Sequence, residues 1–372
     1  MQSDFLIIGG GVVGMAVAYG LVRAGQRVTV LDESDDAFRA SRGNAGLTWV
    51  QGKGIGMPHY AELSLDASLS WPAFAAELEA RTEIDIEHEC RGGVDLCFDA
   101  PEAKARQRDY AELQSSSRHL AQHFRWEYLD RQALQTCLPG LGKSIHGGTW
   151  SPHDGHCNPL HLLRALHAAC RSLGMEYHAG TPVLSLSPCL NGFRAATPDT
   201  EFHAERVIVA AGLGARTLAP MLGLTGTVRP VRGQMLVTER MPRVEQLPTP
   251  QLRQTATGGY LIGDTHEEVG FDKGVSLEVM SFLADRAVRI YPFLRQARLI
   301  RAWGALRIMT PDGAPLYEAS SRYPGAYNLN CHSGISLAAF HANELARAII
   351  DDRLEERWSA FSGARFDVPA HR

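Results

Sequence analysis

Gly9, Gly11 and Gly14 stand in a G-x-G-x-x-G spacing, and an acid, Asp32, follows 18 residues after Gly14, with Glu33 next to it. Glycines at that spacing permit a tight turn, let a pyrophosphate approach the backbone and let a helix pack closely on a strand. An acid at the place of Asp32 accepts hydrogen bonds from both ribose hydroxyls of an adenosine and repels a 2′-phosphate. Dinucleotide binding is the chemistry these residues imply. Near the other end of the chain Arg307 offers a second kind of chemistry, because a planar guanidinium binds a carboxylate bidentately and fixes its pose.

The elements that must position these residues are legible around them. Phe5 to Ile8 is an apolar run suited to a strand buried on both faces. Val12 to Ala24 carries a helical pattern that Gly25 stops, and the free amides of its first turn, Val12 and Val13 among them, suit a phosphate. Arg27 to Leu31 forms the second strand and delivers Asp32. Together these predict a Rossmann-type βαβ start.

Beyond it, the run Ser41–Arg42–Gly43–Asn44–Ala45–Gly46 resembles the second phosphate-contacting turn of FAD-dependent amine oxidoreductases of the D-amino acid oxidase and glycine oxidase family. Ala210–Ala211–Gly212 follows the buried run of residues 205–209 and resembles the family's small-residue turn after its central strand, although a buried strand and helix cap is the lesser alternative for that run alone. Val183 falls where the family's backbone meets the adenine. The block from Arg301 to Ala338 resembles the family's closing segment, G-x-R then T-x-D-G-x-P, with one extra residue in Gly304-Ala-Leu-Arg307. This likeness brings Gly304, Gly334, Ile335 and Ser336 to the cofactor and Arg307 to the substrate carboxylate. It also places His332 on the flavin ring face, while a satisfied structural histidine is an equal reading.

The resemblance implies FAD, bound non-covalently, since no cysteine lies between Trp303 and Asp312 and the 41–43 turn lacks a histidine. It implies oxidation of the C–N bond of an amino or imino acid, by hydride transfer from the α-carbon to flavin N5, to give an imine. Residues 47–54 and 252–272 resemble most the flavin subunits of D-hydroxyproline and opine dehydrogenases. That likeness implies heteromeric electron-transfer partners, an iron–sulfur or a second flavin subunit, since this chain carries no cluster motif of its own. Gln51 and Lys53 of the first stretch, His59 just beyond it and Arg253 of the second are polar residues that can reach the substrate, though each also reads as solvated surface. Three alternatives stay open: a glycine or sarcosine-type oxidase producing hydrogen peroxide, an electron-relay flavoprotein subunit, and an NAD-dependent dehydrogenase.

The 372 residues are 45% hydrophobic and 21% charged, with a net charge of −4 and a pI near 6.4. Nothing in that balance suggests nucleic acid. No apolar run reaches the ~18 residues that suggest a membrane helix. The first strand begins almost at residue 1, and seven scattered cysteines lack any C-x-x-C, so we expect no signal peptide, no metal site and a cytoplasmic location. Helices are expected at 60–80, broken by Pro72, at 160–173 and at 277–290, and another begins near Ile335. Residues 84–99 read as two strands around Gly92–Gly93. The expected fold class is α/β, a Rossmann-type FAD-binding domain of residues 1–82, 143–227 and 299–372. A discontinuous mixed-sheet (α+β) substrate domain takes residues 83–142 and 228–298.

Overall fold

A computed structural model describes residues 3–34, 39–244 and 246–367. The strand Ser3–Ile8 runs parallel to Val28–Leu31 on one side and to Glu201–Val209 on the other. Glu176–His178 extends the first side, and Ala326–Asn330 with the antiparallel Leu316–Ala319 extends the second. Chain order therefore reverses across the pair Ser3–Ile8 and Glu201–Val209. Ligands of open parallel sheets bind beside the carboxyl ends of the strands at such a reversal. Helices cover the sheet, and Val12–Arg23 is buried along almost its whole length. Gly20 allows that burial: a Cβ there would lie 2.2 Å from the carbonyl oxygen of Ala342.

A second sheet has the order Leu252–Gln254, Tyr260–Ile262, Arg229–Thr238 and Leu299–Met309, all antiparallel. A third joins Gly93–Cys97 and Glu127–Asp130 on either side of Gly147–Ser151. The helix Leu277–Ile290 packs on the second sheet, and their shared core takes in Leu134, Leu236, Tyr260 and Leu283. This is the α/β architecture expected, with a nucleotide-type sheet built on parallel strands; the separate sheets, expected to be mixed, are antiparallel throughout.

Several local expectations differ. Pro72 lies inside one continuous helix, Pro58–Thr82; tertiary packing overrides the lost hydrogen bond, with Trp71 and Phe74 buried in the core on either side. Residues 84–99 hold one strand, Gly93–Cys97, because residues 84–92 run irregularly apart from a single bridge from Glu89 to His156. Residues 332–337 are turns, and the helix begins only at Ala338. Sheet membership also differs from the expected boundaries at 143 and 299. Gly147–Ser151 pairs within the third sheet, and Leu299–Met309 is hydrogen-bonded along most of its length to Arg229–Thr238. Long antiparallel pairing decides which layer these strands join, and single-strand patterns do not carry it.

Candidate active site

A cavity of about 920 Å³ opens between the carboxyl ends of the parallel strands and the face of the second sheet. Its first wall is the glycine turn. Gly9 has φ +114°, and a Cβ on it would meet the carbonyl oxygen of Ala210 at 2.4 Å. A Cβ on Gly14 would meet the carbonyl oxygen of Gly9 at 2.0 Å. Gly14 therefore brings helix and strand together and does not itself line the cavity, whereas Gly9, Gly11, Val12 and Val13 do. The N-cap residue Gly11 gives the helix no side-chain cap, and apart from the Val12 amide, taken by Ser41 Oγ, its first turn suits an anion.

Asp32 is buried at the end of its strand, its Oδ2 accepting from the amide of Gly10 at 2.6 Å and its Oδ1 from that of Ser34 at 2.9 Å. Arg39 reaches the same Oδ1 and also pairs with Glu33 at 3.0 Å. Sequence reasoning missed Arg39, whose position within the irregular connection gave no signal. The turn at residues 41–46 closes over this end. Ser41 Oγ accepts from the amide of Val12 at 3.0 Å, and Asn44 Oδ1 accepts from that of Gly46 at 2.5 Å. Glu33, Ser41, Asn44 and Ala45 line the cavity; Gly46 sits behind it, where a Cβ would strike the carbonyl oxygen of Cys157 at 2.2 Å.

Two residues of the second sheet buttress that turn. Trp303 donates from Nε1 to the carbonyl of Gly43 at 3.1 Å. Arg253 donates from Nε to that of Ala45 at 2.6 Å and from Nη2 to that of Cys157 at 3.1 Å. Arg253, expected near substrate, is instead a buried brace outside the cavity, and burial lowers its proton affinity to about 10. Gln51 is likewise internal. It donates from Nε2 to the buried Asp154 at 2.6 Å, and Asp154 also accepts from the amide of Val50 at 2.6 Å. His59 is exposed beside Glu62 on a helix surface. Val183 packs in a loop against the apolar cluster behind Leu31, away from the cavity. Gly304 is absent from the lining too, because a Cβ there would meet the carbonyls of Lys273 and Gly274 at 2.7 Å.

The remaining expected residues converge. Ala211 and Gly212 line the cavity from the central turn, and His332, Gly334, Ile335 and Ser336 from the closing one. Arg307 enters from the strand Leu299–Met309, its Nη1 donating to the carbonyl of Thr265 at 2.5 Å. Two places along the partner strand from Val231, which faces Arg307 in the ladder, Gly233 is glycine for a reason: a Cβ there would lie 2.4 Å from Arg307 Nη1. Lys53 enters from the opposite layer, donating from Nζ to Ser333 Oγ at 2.6 Å, and Ser333 Oγ is 2.7 Å from the Tyr60 hydroxyl. Lys53 keeps some exposure because it faces the cavity, yet protein surrounds it. Desolvation is the main cause that lowers its proton affinity to about 8, with Arg307 adding to it. Desolvation, then Lys53 and Arg307, push His332 well below the ordinary histidine range, so it is neutral. Asp264 and His266 lie in the same lining; no sequence signal marked them, nor Gly233.

The residues fit a flavin dinucleotide: glycine cradle, uncapped helix and buried acid form one end, and a cationic, half-enclosed chamber forms the other. Among the described residues no group of three or more His, Cys, Asp or Glu side chains could hold a metal, and no helix is long and apolar enough to cross a membrane.

Comparison with known proteins agrees with this geometry. Residues 4–348 match the family described as FAD dependent oxidoreductase, DAO. An opine oxidase subunit from Agrobacterium tumefaciens (strain Ach5) is 38% identical over 365 residues, 98% of each chain. The hydrogen cyanide synthase subunit HcnC of Pseudomonas aeruginosa is 30% identical over 409 aligned positions, covering 98% of this chain and 96% of its own. The crystal structure of glycine oxidase from Geobacillus kaustophilus superposes with a TM-score of 0.86 at 26% identity, covering 100% of this chain and 99% of that one.

Proposed function

Because the chain belongs to the DAO family of FAD-dependent oxidoreductases, we propose that it oxidises the C–N bond of an amino or imino acid whose carboxylate is held by Arg307. The observation that carries this reading is a guanidinium opening onto the cavity beside the nucleotide cradle, with no ion-pair partner among the described residues. FAD, bound non-covalently, supplies two-electron acceptance at the reacting carbon.

The chain's own residues bind, orient and exclude water. Gly9, Gly11, Val12, Val13, Asp32, Glu33, Ser41, Asn44, Ala45, Ala211 and Gly212 would hold the dinucleotide, and Gly334, Ile335 and Ser336 its ring end. The Thr265 carbonyl and the gap left by Gly233 aim the guanidinium, so the α-carbon is presented in one pose. His332, kept neutral, lines the ring end and can hydrogen-bond without adding charge. An amine must shed its proton before its α-carbon can be oxidised, and Lys53 and Arg307 favour the neutral amine against the opposing pull of Asp264 in the same lining. The product is an imine, which hydrolyses or leaves as a cyclic imino acid.

A relative named as an opine oxidase supports a substrate of the opine kind, and the likeness of residues 47–54 and 252–272 keeps D-hydroxyproline beside it. Two relatives are named as subunits. We therefore infer that this chain works with a partner that takes its electrons, and its seven free thiols support a cytoplasmic setting. Glycine oxidase likeness favours the second reading, a self-sufficient oxidase. An anaerobic screen of D- and L-amino acids, sarcosine, D-hydroxyproline and opines, read by bleaching of the visible flavin absorbance, tests the function. Bleaching by none of them, in protein loaded with FAD, overturns it.

A further inference from the structure

We propose that Asp264 receives the amine of the substrate, so that this acid and Arg307 together read the paired charges of an amino acid. The inference rests on the reading that Arg307 holds the carboxylate.

Three acids line the cavity, and two of them, Asp32 and Glu33, stand at its nucleotide end. Asp264 is therefore the one carboxylate of the substrate chamber among the described residues. It follows the strand Tyr260–Ile262 with φ +73°, a left-handed backbone that residues with a side chain seldom adopt. The turn is held in that shape from outside. Arg286, on the helix Leu277–Ile290, donates through Nη2 to the carbonyls of Gly263 and Asp264, the second at 3.0 Å. Thr265 Oγ1 accepts from the amide of Gln234 at 2.8 Å. Backbone strain that the surroundings fix in this way gathers at sites where a side chain must be aimed.

The aimed carboxylate has no close partner. Its oxygens accept no hydrogen bond among the described residues, and His266 Nδ1 stands 3.8 Å from Oδ1, beyond hydrogen-bond length. Burial and then Arg307 lower the proton affinity of His266, which keeps that ring from supplying a charge. Lys53, Arg307 and Arg286 all feel the acid, yet none forms an ion pair with it among the described residues.

Its place also matches the chemistry. The next residue, Thr265, supplies the carbonyl that holds Arg307 Nη1, so acid and guanidinium are set by one turn. An amino or imino acid carries its carboxylate and its ammonium one carbon apart, with opposite signs. A carboxylate on Arg307 brings the amine towards Asp264, where an N–H meets an ionised acceptor, the stronger kind of hydrogen bond. Lys53 and Arg307 repel an ammonium, so without Asp264 the chamber would turn the zwitterion away. Once the amine is neutral, its remaining N–H still donates to the same carboxylate.

The test uses FAD-loaded protein and two unreactive probes: 2-aminoisobutyrate, which has no α-hydrogen to lose, and isobutyrate, the same carboxylate without the amine. Binding is followed by perturbation of the flavin spectrum and by calorimetry. The wild type should bind 2-aminoisobutyrate at least roughly tenfold tighter, the scale of a close charge pair. Asparagine accepts a left-handed backbone as readily as aspartate, so Asp264→Asn keeps the turn and loses the charge. That variant should lose or reverse the preference while still binding isobutyrate, and Arg307→Ala should weaken both probes. With the best substrate of the screen, Asp264→Asn should raise half-saturation by at least about tenfold, the loss falling there more than on the limiting rate of flavin reduction. A merely structural role would weaken both probes together and lower FAD content. Equal binding of the two probes by the wild type, or a preference that survives Asp264→Asn, overturns the role of Asp264 and leaves Arg307 standing. If neither probe binds, half-saturation decides alone, and a wild-type value in Asp264→Asn overturns the proposal. Failure of Arg307→Ala to weaken binding of either probe or of the substrate overturns the reading beneath it.

Discussion

Gly233→Ala places a methyl group where the Arg307 guanidinium now lies. The added Cβ would stand 2.4 Å from Nη1, 2.9 Å from Cζ and 3.0 Å from Nη2. Ordinary contact begins at about 3.5 Å, so the guanidinium must retreat by about 1 Å. Its bond to the Thr265 carbonyl, 2.5 Å in the wild type, is strained or lost, and a hydrogen bond to a charged group contributes roughly 1.5–3 kcal/mol. A misplacement of about 1 Å at a positioning group can cost about a hundredfold in rate. We expect kcat/KM for flavin reduction to fall by about ten- to a hundredfold, with most of the loss in half-saturation. FAD content should be retained, because the clash is with a side chain on the substrate wall. Anaerobic stopped-flow reduction with the best substrate of the screen, run beside Arg307→Ala, measures it. Wild-type rate and half-saturation in Gly233→Ala, with Arg307→Ala impaired, would refute the idea that this glycine aims the guanidinium.

Arg307→Lys keeps the charge and loses the fork, so flavin reduction should slow while FAD content holds, and Arg307→Ala should slow it by at least about a hundredfold; stopped flow reads both. Asp32→Ala should weaken FAD binding by about ten- to a hundredfold, the value of one charge-assisted hydrogen bond, as measured by flavin retained on dialysis. Burial raises Asp154 from 3.8 to about 7. The folded protein thus keeps a proton that the unfolded chain releases, and stability falls as pH rises through that window; urea denaturation of the holoprotein should show a shallower fall in Asp154→Asn. Purified alone, the protein should reduce an artificial dye much faster than it makes hydrogen peroxide, and peroxide formed at the turnover rate would refute a need for a partner.

Much of this was legible in the sequence, and the reasons differ by residue. Gly9, Gly14 and Asp32 were readable because their task is local: a turn, a close approach and a strand end lie within one βαβ unit. Arg307 was readable through the motif around it. Gly233 was invisible, since its meaning lies in a cross-strand neighbour more than seventy positions away, with Val231 opposite Arg307 in the ladder. Arg253 misled for a similar reason. A buried arginine paired only with carbonyls looks, in sequence, like a ligand-binding one. The long strand that carries Arg307 pairs within the second sheet, and only its register shows this.

The chain visits the cavity again and again, at residues 9–13, 32–34, 39–53, 210–217, 233–235, 264–273, 305–308 and 329–336. During synthesis the first of these is made long before the last. A chain released up to Thr310 would own the glycine turn and the arginine yet lack the strand Ala326–Asn330, which closes the parallel sheet beside Glu201–Val209. Cofactor capture is therefore expected late in the making of each molecule, with the finished cavity as a check on completeness. Loading of FAD would report that every segment, including the final sheet strand, has arrived. Truncated or stalled chains would stay colourless, holding the sequence motif without the means to use it.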